Sequence, residues 1–428
     1  MSAEQSKVTA GSGEKFVEMF KPIKIGNVEI KNRFSMAPMC CGFVDHGSLT
    51  EQYIAYFARR ARGGVGAIVT SPAMAYTGGS VLHVQNPNLH VRSDIGRWNE
   101  LVETLHAFGA KVFIQLMAGS AGRQIPRGMP SKAPSAVPLR IRPEFLPKKE
   151  EEFRVRKGLW PSNWDHFYEA EPPQELTNAE IKEIENVWAN QALLCKQTGA
   201  DAAEFHFAHG YLAHNFMSSR ENLRSDEYGG SFENRARFCL NIIKKARVLV
   251  GPNYTLGARL SGTDRLPDGI SPREMAKFIK LYTDWGLQFV DMSDGCYERA
   301  EYLFPSEDGT MIPIAAELKR EGVKLPIMCA NIHDPNLGEQ SLKEGKIDMI
   351  ALGRPLLTDP DYVKKCYEQG TKVKHVRCIR CLICDRRIRS DLGIRCETNR
   401  EVGNEHYDPA NQRINAPKRK EFFYPADY

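Results

Sequence analysis

From about residue 33 the chain alternates short unbroken apolar runs with longer stretches whose apolar residues recur every three to four positions. The short runs fall at 33–37, 67–71, 111–116, 202–205, 255–260, 289–292, 326–329 and 349–352. An unbroken run predicts a strand covered on both faces, as in a parallel sheet; a strand with one wet face would alternate. Helix signals fill the gaps. Thr177-Asn-Ala-Glu180 reads as a capping box, followed by Ile181, Ile184, Val187, Trp188 and Cys195 at helical spacing, with Gly199 as a stop. Ser271-Pro-Arg-Glu274 reads as a second box with proline at the first helical position; Met275, Phe278, Ile279 and Tyr282 form its apolar face and Gly286 ends it. Asp334-Pro335 opens a further helix that Gly345 closes. Eight strand–helix units over roughly 330 residues predict an α/β fold, a (β/α)8 TIM barrel with insertions. A doubly wound open sheet is the alternative.

Two regions break the pattern. Residues 119–175 form a long Pro-, Arg- and Lys-rich loop after the third strand, on the face where barrel active sites sit. From 371 the chain carries clustered cysteines. The expected organisation is a disordered lead-in at 1–17, a barrel at 18–370 and a C-terminal segment and tail at 371–428. The N-terminus is polar, so no secretory signal is expected, and no apolar run approaches the ~20 residues of a membrane helix. A net charge of +5 in 428 residues gives no reason to expect a nucleic-acid or membrane partner. The expected location is cytoplasmic.

Of eleven cysteines, Cys40, Cys41, Cys195, Cys239, Cys296, Cys329 and Cys366 are scattered, mostly in apolar segments, and read as small buried hydrophobes. Cys378, Cys381, Cys384 and Cys396 are spaced C-x2-C-x2-C-x11-C. Three close thiolates and a distant fourth suit an iron–sulfur cubane; a structural zinc site built from four cysteines is also compatible with the spacing. Arg377, Arg380, Arg386 and Arg387 surround the cysteines. They could offset a cluster's negative charge or form a solvated basic face.

In order and in combination, several motifs resemble the old yellow enzyme family: Phe20-Lys-Pro-Ile-Lys-Ile-Gly26, Asn32-Arg33, Met36-Ala-Pro-Met-Cys40, Gly63-Gly-Val-Gly66 and Gln115-Leu116. His206-Phe-Ala-His-Gly-Tyr-Leu212, Asp226-Glu-Tyr-Gly-Gly-Ser-Phe-Glu-Asn-Arg235 and Leu352-Gly-Arg-Pro-Leu356 continue the likeness. The tail, with Cys396-x-x-Asn399, resembles the family's iron–sulfur branch, which includes 2,4-dienoyl-CoA reductase, trimethylamine dehydrogenase and bile-acid-type enoate reductases. The resemblance covers about residues 18–405 and implies FMN, with a [4Fe-4S] cluster on the four cysteines.

It also implies site residues. Gln115 would contact the flavin's pyrimidine edge and Arg259 the region of N1, where the reduced ring becomes anionic. Ala37, Pro38, Met39 and Cys40 would lie against the flavin, Cys40 tuning its potential. Gly353 and Arg354 would bind the phosphate; Ala330 and Asn331 stand where relatives have a glycine pair. His206 and His209 would donate hydrogen bonds to a substrate carbonyl and Tyr211 would protonate the α-carbon. The Asp226–Arg235 stretch reads as structural, its Ser231 capping a helix. Met117–Arg123 lacks a histidine that many relatives carry there.

The implied activity is FMN-dependent reduction of a C=C bond conjugated to a carbonyl or thioester: an enoate, a dienoyl-CoA or a steroid-like enone. Residues Arg140, Arg142, Lys148, Lys149, Arg154 and Arg156 of the long loop could receive a carboxylate or CoA phosphates. The chain carries no G-x-G-x-x-G after a strand. Electrons would therefore come from NAD(P)H directly, or from a separate flavoprotein or ferredoxin docked on a basic tail (Lys418, Arg419, Lys420). A homo-oligomer and an anaerobic or low-oxygen bacterial setting are expected. The competing readings are an amine dehydrogenase, which would favour an aromatic cage, and an electron-transfer subunit.

Overall fold

The computed structural model of the chain describes residues 13–75, 86–118, 122–123, 131–141, 171–389 and 392–416. Among these, eight parallel strands close into a barrel: β1 (Phe34–Met36), β2 (Ala67–Val69), β3 (Lys111–Ala118), β4 (Ala202–Phe207), β5 (Thr255–Ser261), β6 (Phe289–Ser293), β7 (Ile327–Ala330) and β8 (Met349–Leu352). Closure comes from β8 pairing with β1, Ile350 opposite Phe34 and Leu352 opposite Met36. A doubly wound sheet would leave two edges; this one leaves none, so the alternative falls. A helix of eight residues or more follows each strand: α1 (Glu51–Arg62), α2 (Ile95–Ala107), α3 (Asn178–Gln197), α4 (Phe232–Val250), α5 (Pro272–Thr283), α6 (Ile312–Arg320), α7 (Pro335–Lys343) and α8 (Tyr362–Gln369).

All eight apolar runs became strands. The third outruns its run to Ala118 because a short extra strand, Ala73–Ala75, supplies a partner for Leu116–Ala118. Thr177 and Glu180 cap α3 reciprocally. At α5 only half the expected box forms: the Ser271 hydroxyl accepts from the Glu274 N–H, but the Glu274 carboxylate accepts from Arg235 of α4 at 2.7 Å. A cross-helix ion pair has displaced the local cap. Ser231 caps α4 as expected, accepting from the Asn234 N–H.

The N-terminal hairpin Ile23–Ile25/Val28–Ile30 covers the barrel's N-terminal mouth. Its turn residue Gly26 has φ +56°, and a Cβ there would sit 2.6 Å from Thr255 Oγ1 at the start of β5. Only glycine lets the turn press this close. The opposite mouth is left for a site. Residues 13–17 also join the fold: Gly13 N–H donates to the Gln369 carbonyl, and Glu339 accepts from the Val17 and Glu18 N–H groups.

The segments on both sides of the cysteines are clamped to α1. Arg60 and Glu405 form a fully buried ion pair, Arg59 binds Asp361 and Glu401 at 2.6 Å each, and Arg62 binds Asp408 at 2.9 Å. Ile394 N–H donates to the Cys41 carbonyl at 2.9 Å, which lays this segment beside the turn after β1. Cys41, Cys195, Cys239, Cys296, Cys329 and Cys366 are buried thiols, as expected, while Cys40 is half-buried. No helix among the described residues is long and apolar enough to cross a membrane. Of the long basic loop, Arg140 is exposed; Arg142, Lys148, Lys149, Arg154, Arg156 and the tail's Lys418, Arg419 and Lys420 lie outside the described residues.

Candidate active site

Side chains two apart on a strand share a face, and the strand registers stack the inward ones of β3 to β6 into layers. The lowest is apolar: Phe113 and Phe289 meet with ring centroids 5.1 Å apart. Gly257 permits this, since a Cβ there would fall 2.1 Å from the Phe289 ring. The next layer is polar. Gln115 Nε2 donates to Glu204 Oε1 at 2.7 Å, and Arg259 pairs with Asp291. Above it stand His206, Ser261 and Ser293, at the C-terminal mouth.

Gln115 was expected at a strand end; β3 runs three residues further, and Gln115 is buried within the barrel against Glu204. Arg259 is likewise tied below the rim, to Asp291 and, at 3.5 Å, to Ser293 Oγ. Neither Glu204 nor Asp291 was singled out by motif. The alternation of β4 could have found Glu204, two residues before His206.

His206, His209 and Tyr211 converge. Their ring centroids lie 5.1 Å (His206–His209), 4.9 Å (His206–Tyr211) and 6.4 Å (His209–Tyr211) apart. His209 takes a left-handed backbone, φ +66°, uncommon for a side-chain-bearing residue. Its N–H donates to Ser261 Oγ at 3.0 Å and its Nε2 lies 2.7 Å from Ser293 Oγ. The strain is thus held by two serines from neighbouring strands, a form of pre-organisation. Burial pushes His206 down to about 3, with the Arg259 charge adding to the shift. Burial and the nearby His206 and Arg259 hold His209 well below the usual histidine range. Both rings are neutral at pH 7. The His206 Nδ1 accepts from the Ala208 N–H at 3.4 Å, which leaves its Nε2 carrying the proton.

The Tyr211 hydroxyl lies 3.0 Å from that of Tyr297, a residue the motifs did not indicate. Burial holds the Tyr211 phenol far above its ordinary range, with the Tyr297 contact adding to it. Tyr297 follows β6 in a short helical turn, Tyr297–Arg299. Arg389, from the helix Ile383–Arg389 that begins among the cysteines, places its guanidinium 5.3 Å from the Tyr297 ring centroid. Burial pushes the Cys40 thiol up to about 11, and the nearby Arg389 charge partly opposes this.

At the ends of β7 and β8, Asn331 takes φ +59°. Asparagine tolerates this left-handed geometry better than most residues, which is how the chain does without glycine there. Its Nδ2 donates to the Glu307 carbonyl and Thr310 Oγ1, and Gly309 N–H donates to its carbonyl. Arg354 Nη2 donates to the Pro305 carbonyl at 3.1 Å, while its buried Nη1 has no partner among the described residues. An orphaned guanidinium nitrogen fits a phosphate. Met39 and Ala37 approach Gly353, so the turns after β1 and β8 meet. The Ala37 N–H is committed to the Leu352 carbonyl, and the Met39 carbonyl accepts from Ser71. Pro38 has no N–H, so the 37–39 turn has no Ala37 or Pro38 donor to offer a ligand. Ala330 is buried.

Cys378, Cys381, Cys384 and Cys396 line one cavity, together with Arg354. Arg380 and Leu382, flanking Cys381, both take left-handed backbone, φ +57° and +58°. That turns three thiols of a short segment towards one space. The four sulfurs do not close on a point: among the described residues no three His, Cys, Asp or Glu side chains are arranged to hold a single ion. Four soft thiolates are the donor set of an iron–sulfur cluster and equally of a structural zinc site. The surrounding arginines are struts: Arg380 donates to the Pro305 and Glu307 carbonyls, Arg386 to Cys381 and Arg387 to Gly393. Only Arg377 is exposed.

The chain matches the NADH:flavin oxidoreductase / NADH oxidase family over residues 18–372. It is 34% identical over 406 residues to an NADH oxidase of Thermoanaerobacter brockii, covering 91% of this chain and 57% of that protein. It is 31% identical over 420 residues to a cinnamate reductase of Clostridium sporogenes, covering 92% of this chain and 59% of that protein. A solved complex of 2-naphthoyl-CoA reductase with 2-naphthoyl-CoA is 29% identical with a TM-score of 0.79, over 92% of this chain and 58% of that one. The chain therefore spans well under two thirds of the length of these relatives.

Proposed function

Because the chain belongs to the NADH:flavin oxidoreductase / NADH oxidase family, we propose that it is a flavin-dependent ene-reductase acting on a C=C bond conjugated to a carboxyl, carbonyl or thioester group. The observation that carries this reading is the convergence of His206, His209 and Tyr211 at the C-terminal mouth, two neutral imidazoles beside a protonated phenol. Bound FMN would supply hydride equivalents received from a nicotinamide donor. Arg354 and the Asn331 backbone would hold its phosphate, with Gln115, Arg259 and the turn Ala37, Pro38, Met39 and Cys40 around the ring.

The protein's own groups have three tasks. His206 Nε2–H donates to the substrate's carbonyl oxygen. Ser293 Oγ accepts from Arg259 and turns its own proton onto His209 Nε2, so His209 presents Nδ1–H to the same oxygen. These two donors stabilise the charge that develops there. Tyr211 delivers a proton to the α-carbon and Tyr297 holds its hydroxyl in place. The cinnamate reductase and 2-naphthoyl-CoA reductase likenesses support an unsaturated acid or its thioester as substrate. Cys378, Cys381, Cys384 and Cys396 would carry a [4Fe-4S] cluster, through which a partner protein could supply the electrons in place of direct reduction by the nicotinamide.

The amine-dehydrogenase alternative needs open aromatic faces for a cation. Here guanidinium groups already sit against the rings, Arg389 at Tyr297 and Arg265 and Arg299 at Tyr302. They would repel a cationic amine.

The test is an anoxic absorbance spectrum followed by NADH, NADPH and then a cinnamate-type enoate. Flavin that bleaches with nicotinamide and is reoxidised by the enoate supports the whole reading. Flavin that stays oxidised until dithionite is added, and then reoxidises on enoate, keeps the ene-reductase and assigns electron supply to a partner. Reduced flavin inert to every conjugated acceptor overturns it.

A further inference from the structure

The polar layer beneath the site holds two carboxyl groups and one guanidinium. Glu204 and Asp291 are both fully buried. Asp291 Oδ2 accepts from Arg259, and Glu204 Oε1 accepts from Gln115 at 2.7 Å. One oxygen of each, Glu204 Oε2 and Asp291 Oδ1, is buried with no partner among the described residues. The charges do not balance if both are ionised: Arg259 neutralises Asp291, and Glu204 is left with an amide alone. The histidines facing this layer, His206 and His209, are neutral and cannot compensate. A lone carboxylate in so dry a place takes up a proton instead.

Building on the flavin reading, we propose that Glu204 holds a proton at neutral pH while Asp291 stays ionised against Arg259, and that the two act as positioning residues for the flavin contacts Gln115 and Arg259. The layer is then neutral overall. The arrangement gives the two carboxyls distinct work. Asp291 fixes the guanidinium and offsets its charge, which limits how strongly Arg259 favours the anionic reduced ring. Glu204 fixes the Gln115 amide. Burial, with the Asp291 charge adding to it, holds the Glu204 carboxyl well above the usual carboxylate range, while Arg259 and Gln115 act the other way. At Asp291 the direct guanidinium contact works against the burial that raises it.

Two measurements on the full chain test this. Infrared difference spectra of the flavin-free protein at neutral pH should show a protonated-carboxyl C=O band that Glu204→Gln removes. A wild type without that band, or a band that survives in Glu204→Gln, overturns the protonation. With flavin bound, Asp291→Asn should shift the midpoint potential to more positive values, because Arg259 loses its counter-charge; Glu204→Gln, which replaces one neutral group by another, should leave it unshifted. Equal shifts in both variants overturn the division of roles. Protein that never retains flavin would sink the flavin reading alone, since the infrared band is read without it. The wild-type band remains decisive where a variant fails to fold.

Discussion

Arg389 reaches out of the cysteine-bearing helix to place its guanidinium 5.3 Å from the ring centroid of Tyr297, whose hydroxyl lies 3.0 Å from that of Tyr211. Arg389 is itself oriented by Asp385 at 2.7 Å, one residue after Cys384. The cysteine segment therefore borders the Tyr211 end of the site. A cation over an aromatic ring contributes about 0.5–2 kcal/mol. Arg389→Ala should slow transfer to the enoate by about twofold to thirtyfold and leave flavin reduction by dithionite untouched. Stopped-flow measurement of the two half-reactions checks this, and equal slowing of both would remove Arg389 from the proton-delivery side.

Positioned acid–base groups contribute about 10²–10⁴-fold. Tyr211→Phe should slow reoxidation of reduced flavin by an enoate within that range, and Tyr297→Phe by less, since its hydroxyl acts only through Tyr211. Because burial keeps the Tyr211 phenol protonated, the wild-type rate should show no fall from phenol ionisation near pH 10, the ordinary phenol value.

His206 also links stability to pH. Its folded value is depressed, from 6.5 to about 3. Between those values the unfolded chain binds a proton that the folded protein does not, so stability falls as pH drops below 6.5 and the loss is complete near 3. His206→Asn removes this contribution. The difference in urea midpoint between pH 7 and pH 5 should be smaller in the variant; an unchanged difference would show that the ring is already protonated in the folded state.

Removing one member of a buried ion pair costs about 3–5 kcal/mol, because the other charge is left unpaired. Glu405→Gln should destabilise the protein by about that amount by stranding Arg60. The loss should appear as faster amide exchange in 392–416 before the barrel opens. Replacing both residues with apolar ones of similar size should recover most of it.

Cys384→Ser should abolish iron and acid-labile sulfide in protein purified without oxygen. Arg354 lines the cysteine cavity and also reaches towards the expected phosphate site, so flavin retention should weaken as well. Zinc in place of iron and sulfide in the wild type would overturn the cluster.

The barrel was legible in the sequence for a local reason. Parallel strands buried on both faces must be apolar throughout, so all eight stand out as unbroken runs, and the intervening helices carry their own caps. The count of eight units predicted closure; the register that closes it was not legible, because the pairing of Leu352 with Met36 joins residues far apart in the chain. The motif-borne groups His206, His209 and Tyr211 could be read because a few residues at one strand end must sit together. Glu204 and Asp291 could not be read as a pair, nor Tyr297 and Arg389 as neighbours of Tyr211. Their roles come from separate strands and segments meeting in one dry space, where a buried charge must find a counter-charge or a proton. At Ser271 the local signal was overruled: Glu274 pairs with Arg235 across two helices, an ion pair that short-range pattern cannot show. Sequence determined which residues must be strand, helix and turn; tertiary structure alone decided which polar groups share an interior, because that depends on contacts without any fixed spacing along the chain.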